Sequence, residues 1–116
     1  MIKKYYIDTS VFGGYFDNEF KTTTQQLFDE IFEKKIVILY SEMTESELEG
    51  SPESVKTFIK NLPKDSADYV EITEEVIYLA DQYIEEHVVG KTSRDDCIHI
   101  ALATINRADV LISWSR

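Results

Sequence analysis

Ile36-Val37-Ile38-Leu39-Tyr40-Ser41-Glu42-Met43-Thr44-Glu45-Ser46-Glu47 passes from an unbroken apolar run into an acidic, helix-forming segment. Such a run reads as a strand buried on both faces, the kind found in parallel sheets covered by helices. Working outward, Lys3–Asp8 reads as a strand, and Ser10–Phe16 as a short helix or turn. Thr22–Lys34 reads as a helix with Leu27, Phe28, Ile31 and Phe32 at helical spacing. After the strand Ile36–Tyr40 the pattern predicts helices from Thr44 to Glu49 and from Pro52 to Asn61, with Pro52 at a first-turn position. A strand at Tyr69–Ile72 then leads into a helix from Thr73 to His87, where Glu74 and Glu75 favour the N-terminus. The helix Arg94–Ala108 and the strand Val110–Trp114 come last. Strands alternating with helices imply an α/β domain whose parallel sheet is covered on both faces.

The 116 residues suffice for one domain, and 43 % hydrophobic with 29 % charged residues is ordinary globular composition. No apolar run approaches the roughly 20 residues that span a bilayer, so no membrane partner is expected. The N-terminal Met1-Ile2-Lys3-Lys4-Tyr5-Tyr6 lacks the apolar core and cleavage site of a signal peptide. Cys97 is the lone cysteine and cannot form an internal disulfide, which points to a reducing cytoplasm and to a packing role. The formal charge of −10 disfavours a polyanionic partner at face value. A nucleic acid would have to be held by a metal and by local cations such as Lys3, Lys4, Lys91, Arg94 or Arg107. A basic protein partner is the alternative.

Three carboxylates fall at strand-to-helix junctions: Asp8 closes Tyr5-Tyr6-Ile7, Glu47 follows Ile36–Tyr40, and Asp96 opens the most apolar helix. In a parallel sheet the strand C-termini share one edge, and ligands bind in the crevice outside it. Acids that converge there repel one another unless a cation neutralises them, and clustered oxygen ligands suit Mg²⁺ or Mn²⁺. Each acid also has a plainer reading. Ser93-Arg94-Asp95-Asp96 and Thr44-Glu45-Ser46-Glu47 both fit a capping box, and Asp8 fits a turn acid. Helical amphipathicity does not separate Asp95 from Asp96, which flank a polar arc containing His99 and Asn106. His87 and His99 have no zinc-ligand spacing. Gly13-Gly14 allows close approach of substrate behind Asp8, or a plain turn. No dinucleotide fingerprint, P-loop or nucleophile elbow is present.

Tyr6-Ile7-Asp8-Thr9-Ser10-Val11, Thr44-Glu45-Ser46-Glu47-Leu48, Ser93-Arg94-Asp95-Asp96-Cys97-Ile98-His99-Ile100-Ala101-Leu102-Ala103 and Ala108-Asp109-Val110-Leu111-Ile112-Ser113-Trp114 together resemble the PIN-domain family, as found in VapC-type toxins. The resemblance runs in order along the whole chain. It implies a three-layer α/β/α sandwich and a Mg²⁺- or Mn²⁺-dependent endoribonuclease. Asp8, Glu47 and Asp96 would be its catalytic, metal-holding acids, directly or through water. RNA is the implied substrate and an antitoxin protein the implied partner, with a homodimer left open. Where many members carry a fourth acid, this chain has Ser115, and it stops at Arg116 where relatives continue. A truncated C-terminal end and an abbreviated site edge are the two expectations. The rival is a catalytically weakened PIN-like module that binds protein or RNA. An acidic phosphatase- or receiver-like domain fits less well, since no phosphate-activating Lys follows a strand.

Overall fold

A computed structural model describes residues 2–86 and 94–114. The elements follow in the order β1 (Lys3–Ile7), α1 (Thr9–Gly14), α2 (Lys21–Phe32), β2 (Ile36–Ser41), α3 (Glu42–Leu48), α4 (Glu53–Lys60), a 3-10 turn (Lys64–Ser66), β3 (Ala67–Val70), α5 (Glu74–Glu85), α6 (Arg94–Ile105) and β4 (Val110–Ile112). Four parallel strands form one sheet in the order β3-β2-β1-β4. The expected α/β/α sandwich is the architecture found.

Alternation along the two central strands builds both faces of the sheet. Ile7, Ile36 and Ile38 point to one side and pack with Val11 and Phe12 of α1, Leu27, Phe28 and Ile31 of α2, Leu48 of α3 and Val55 of α4. Tyr6 and Leu39 point to the other side and pack with Val76 and Ala80 of α5 and with Cys97, Ile98, Ala101 and Leu102 of α6. Cys97 is fully buried there, and that burial pushes its thiol up, so it is a packing residue. Among the described residues no helix is long and apolar enough to cross a membrane.

Several boundaries differ from the sequence reading, and three of them follow from a neighbouring strand or cap. The third strand is Ala67–Val70, not Tyr69–Ile72, because its ladder runs from Ile38↔Ala67 to Ser41↔Val70 and β2 ends there. Ile72 N–H instead donates to the Glu42 carboxylate at 2.9 Å. The last strand stops at Ile112 because its partner Ile7 ends β1, and Trp114 N–H donates to Ser10 Oγ at 2.9 Å. Helix α3 starts at Glu42, two residues earlier than the reading from Thr44, because the Ser41 side chain accepts from Thr44 N–H. The expected helix end at His87 lies outside the described residues.

Helices α2 and α6 both close with a residue in the left-handed region, Lys34 (φ 62°) and Arg107 (φ 56°). In each case paired backbone bonds complete a Schellman motif: Lys35 N–H to Glu30 O and Lys34 N–H to Ile31 O, then Ala108 N–H to Ala103 O and Arg107 N–H to Thr104 O. A side chain at such a position carries a steric cost that glycine avoids. Arg107→Gly is expected to raise the unfolding free energy by roughly 0.5–1 kcal/mol, after the greater chain entropy of unfolded glycine is counted. Urea denaturation measures it, and a loss of stability would show that the Arg107 side chain contributes more than its backbone costs.

Candidate functional site

The strand order places a topological reversal at β1. The chain moves from β1 to β2 to β3 in one direction, and β4 then returns to the opposite side of β1. Crevices form at the carboxyl ends of the strands where the order reverses. A cleft of about 470 Å³ lies there. Asp8 and Asp96 bring carboxylates to it, Ser10 and Ser113 hydroxyls, and His99 a ring, while Ile100, Leu111 and Trp114 supply apolar wall. A second hollow of about 440 Å³, beside α3 and α4, is lined by Tyr40, Glu45, Leu48, Glu49, Lys56, Ile59 and Lys60. It lies away from the reversal, and its two acids stand among lysines of the opposite charge.

Local chemistry fixes each side chain. Asp8 caps α1, its Oδ1 accepting from Ser10 N–H at 2.9 Å and from the Ser10 hydroxyl. Ser10 Oγ in turn receives Trp114 N–H, and the indole Nε1–H donates to Thr24 Oγ1 at 2.9 Å. Phe20 stacks on the indole with an interplanar angle of 3°. Glu47 stands beside the cleft on α3, its Oε1 accepting from the Thr9 hydroxyl and lying 2.6 Å from His99 Nε2. The other ring nitrogen of His99 is 2.5 Å from the Tyr6 hydroxyl, which is 2.8 Å from Ser41 Oγ. Burial is the main reason that the Tyr6 hydroxyl is pushed up to about 12, so it stays protonated.

Two of the acids singled out from the sequence thus share the cleft, and the third adjoins it through His99 and Thr9. The turn-acid role of Asp8 is real, and the same carboxylate also faces the cleft. The capping-box reading of Glu47 does not hold, because Ser41 caps α3 and Thr44 lies inside the helix. For Asp96 that reading depends on Ser93, which lies outside the described residues, as does Ser115. Asp96 is a cleft residue, whereas Asp95 is not among those lining it. Of the cations offered for a polyanion, Lys3 and Lys4 begin β1 and Arg107 follows α6, all at the opposite edge of the sheet. Arg94 is at the cleft end, 3.5 Å from Asp81, and Lys91 is outside the described residues.

The sequence reading gives no site role to Tyr6, Thr9 or Ser41, offers Thr44 only as a helix cap, and places His99 in a polar arc. The structure buries His99 to 5 % exposure. A signal for it existed, since His99 is three positions after Asp96 and so lies on the same side of α6. Tyr6 is two before Asp8 on a strand, which put it towards the α6 face.

The donor chemistry fits a hard divalent cation, because carboxylate and hydroxyl oxygens line the cleft while both His99 nitrogens are engaged. Among the described residues no three His, Cys, Asp or Glu side chains gather closely enough to enclose an ion. As the side chains stand, Asp8 and Asp96 line the cleft, Asp8 being held by Ser10, and Glu47 is engaged by Thr9 and His99.

A four-stranded parallel sheet of this order between two helical layers, with acids at its carboxyl edge, is the PIN-domain fold of VapC-type proteins. VapC20 of Mycobacterium tuberculosis, a sarcin-ricin loop cleaving toxin, superposes with a TM-score of 0.74 over 96 % of this chain and 89 % of its own, at 14 % identity. A chain of VapBC2 from Rickettsia felis, solved bound to a DNA fragment from its promoter, gives a TM-score of 0.65 over 97 % of this chain and 99 % of its own, at 11 % identity. At these identities the likeness is one of fold. No family model matches the chain, and no curated protein matches it.

Proposed function

We propose that the chain is a metal-dependent endoribonuclease of the PIN-domain type and the toxin of a toxin–antitoxin pair. One observation carries this reading: Asp8 and Asp96, near opposite ends of the chain, open onto one cleft at the reversal point of the sheet. The fold likeness to a toxin that cleaves the sarcin-ricin loop favours RNA as the substrate. The likeness to VapBC2 and the formal charge of −10 favour a basic antitoxin segment as the partner. The free, buried Cys97 accords with a reducing cytoplasm.

Mg²⁺ or Mn²⁺ would be held by Asp8, Glu47 and Asp96, directly or through water, and would supply Lewis acidity and neutralise phosphate charge. The protein's own groups do the rest. Ser10 holds Asp8 by one oxygen, so the carboxylate does not rotate freely. The N-terminal turn of α6 stands at the same edge and its dipole favours an anionic phosphate there. Trp114, fixed by Thr24 and Phe20, gives the cleft a rigid aromatic wall against which a nucleobase can rest.

A weakened PIN-like module that binds RNA or protein is the second reading, favoured by the engagement of Glu47 with His99 and Thr9. RNA cleavage by the full chain in Mn²⁺, then in EDTA, then with Mn²⁺ restored, separates the two. Cleavage that follows the metal supports the nuclease. RNA retention on a filter with no metal-dependent cleavage would replace it with the binding module.

A further inference from the structure

His99 is the buried polar group that the proposed chemistry leaves without a role. Its proton positions follow from its partners. An ionised carboxylate only accepts, so the short contact to Glu47 Oε1 requires a proton on His99 Nε2. In a neutral imidazole Nδ1 is then the acceptor, and the Tyr6 hydroxyl donates to it. Ser41 Oγ, which receives Thr44 N–H and donates to Thr44 Oγ1, both at 3.0 Å, lies 2.8 Å from the Tyr6 oxygen. Every buried side-chain nitrogen and oxygen among the described residues has a partner, so this relay is fully satisfied.

We propose that His99, held by Tyr6 as the Nε2–H tautomer, is the positioning residue for Glu47 in the acidic site. The inference rests on the nuclease reading and assigns a support to one of its acids. The Glu47 side chain is 32 % exposed and would otherwise sample several rotamers. Bonds from Thr9 and His99 to the same oxygen, Oε1, fix its orientation. Histidines and carboxylates in this supporting position fix metal-site geometry in the same way.

The test uses the full chain, with calorimetric titration of Mn²⁺ and nitrogen NMR of the imidazole. In the metal-free protein the His99 signals should show the Nε2–H tautomer, and Glu47→Gln should shift the Nε2 resonance. His99→Leu is expected to weaken Mn²⁺ binding by roughly 10–100-fold, while His99→Gln, whose amide can still donate, stays within roughly 5-fold of the parent. Tyr6→Phe, which frees the tautomer, should fall between them. Equal Mn²⁺ affinity in the parent and in His99→Leu, or an Nδ1–H tautomer, overturns the proposal. If the leucine variant does not fold, unchanged affinity in Tyr6→Phe overturns it instead. A parent that binds no Mn²⁺ yet shows the Nε2–H tautomer overturns the nuclease reading, and the positioning role falls with it.

Discussion

Asp96→Asn is expected to remove metal-stimulated RNA cleavage, with a loss above roughly 100-fold, because even supporting residues of metal sites cost 10–100-fold. Asp95→Asn should leave most of the activity. The two acids are adjacent in the first turn of α6, yet Asp96 lines the cleft shared with Asp8 and Asp95 is not among its lining residues. Both sit at the favourable end of the helix dipole, so each substitution gives up roughly 0.3–1 kcal/mol. Relief of repulsion from Asp8 offsets that loss at Asp96 alone. In EDTA the melting temperature of Asp96→Asn should therefore stay near that of the parent. The reverse pattern, a stability loss of roughly 0.5–2 kcal/mol with activity intact, would reduce Asp96 to a capping residue.

Gly14→Ala is expected to destabilise the protein by about 1–3 kcal/mol, the usual cost of forcing a group into a packed site. A Cβ at Gly14 would lie 2.5 Å from Trp114 Cδ1, 2.7 Å from Nε1 and 2.8 Å from Thr24 Oγ1. The indole has little room to yield, since Thr24 holds its nitrogen and Phe20 covers it. The clash must outweigh the roughly 0.5–1 kcal/mol by which alanine is favoured over glycine in a helix. Gly13→Ala is the control: a Cβ there meets nothing within 4 Å, so this variant should gain stability. Trp114 is the only tryptophan, and its emission reports the displacement directly during urea unfolding. Equal gains in the two variants would show that Trp114 does not rest on Gly14 in solution. The close approach allowed by the Gly13-Gly14 pair is thus made by the protein's own tryptophan, at Gly14.

Much of this molecule is legible in one dimension because the signals concerned are local. The apolar run Ile36–Tyr40 is too uniform for a half-exposed strand, and its alternation with helical patterns requires a parallel sheet covered on both sides. Asp8 could be placed at the carboxyl edge because it ends a strand, and Asp96 because it begins a helix that runs back along the sheet.

The tertiary structure decided what depends on neighbours distant in sequence. Strand β3 stops at Val70 and β4 at Ile112 because β2 and β1 end opposite them, and no property of Glu71 or Ser113 sets those limits. The distribution of polar residues on α6 gives a polar arc through His99 and Asn106. His99 is nonetheless buried with Cys97, Ile98, Ala101, Leu102 and Ala103, because α5 and the sheet pack against the helix. The useful cations sort by sheet edge, which is a consequence of topology: Lys3, Lys4 and Arg107 are remote from the cleft, and Arg94 is at its end. Local sequence determined the elements and put Asp8 and Asp96 at a strand end and a helix start, since hydrophobic periodicity and capping act over a few residues. Glu47, by contrast, lies in the last turn of α3 and not at its opening. Only the packed chain could join Tyr6, His99 and Glu47, because a hydrogen-bonded relay between a strand and two helices exists only once the core has brought them within 3 Å.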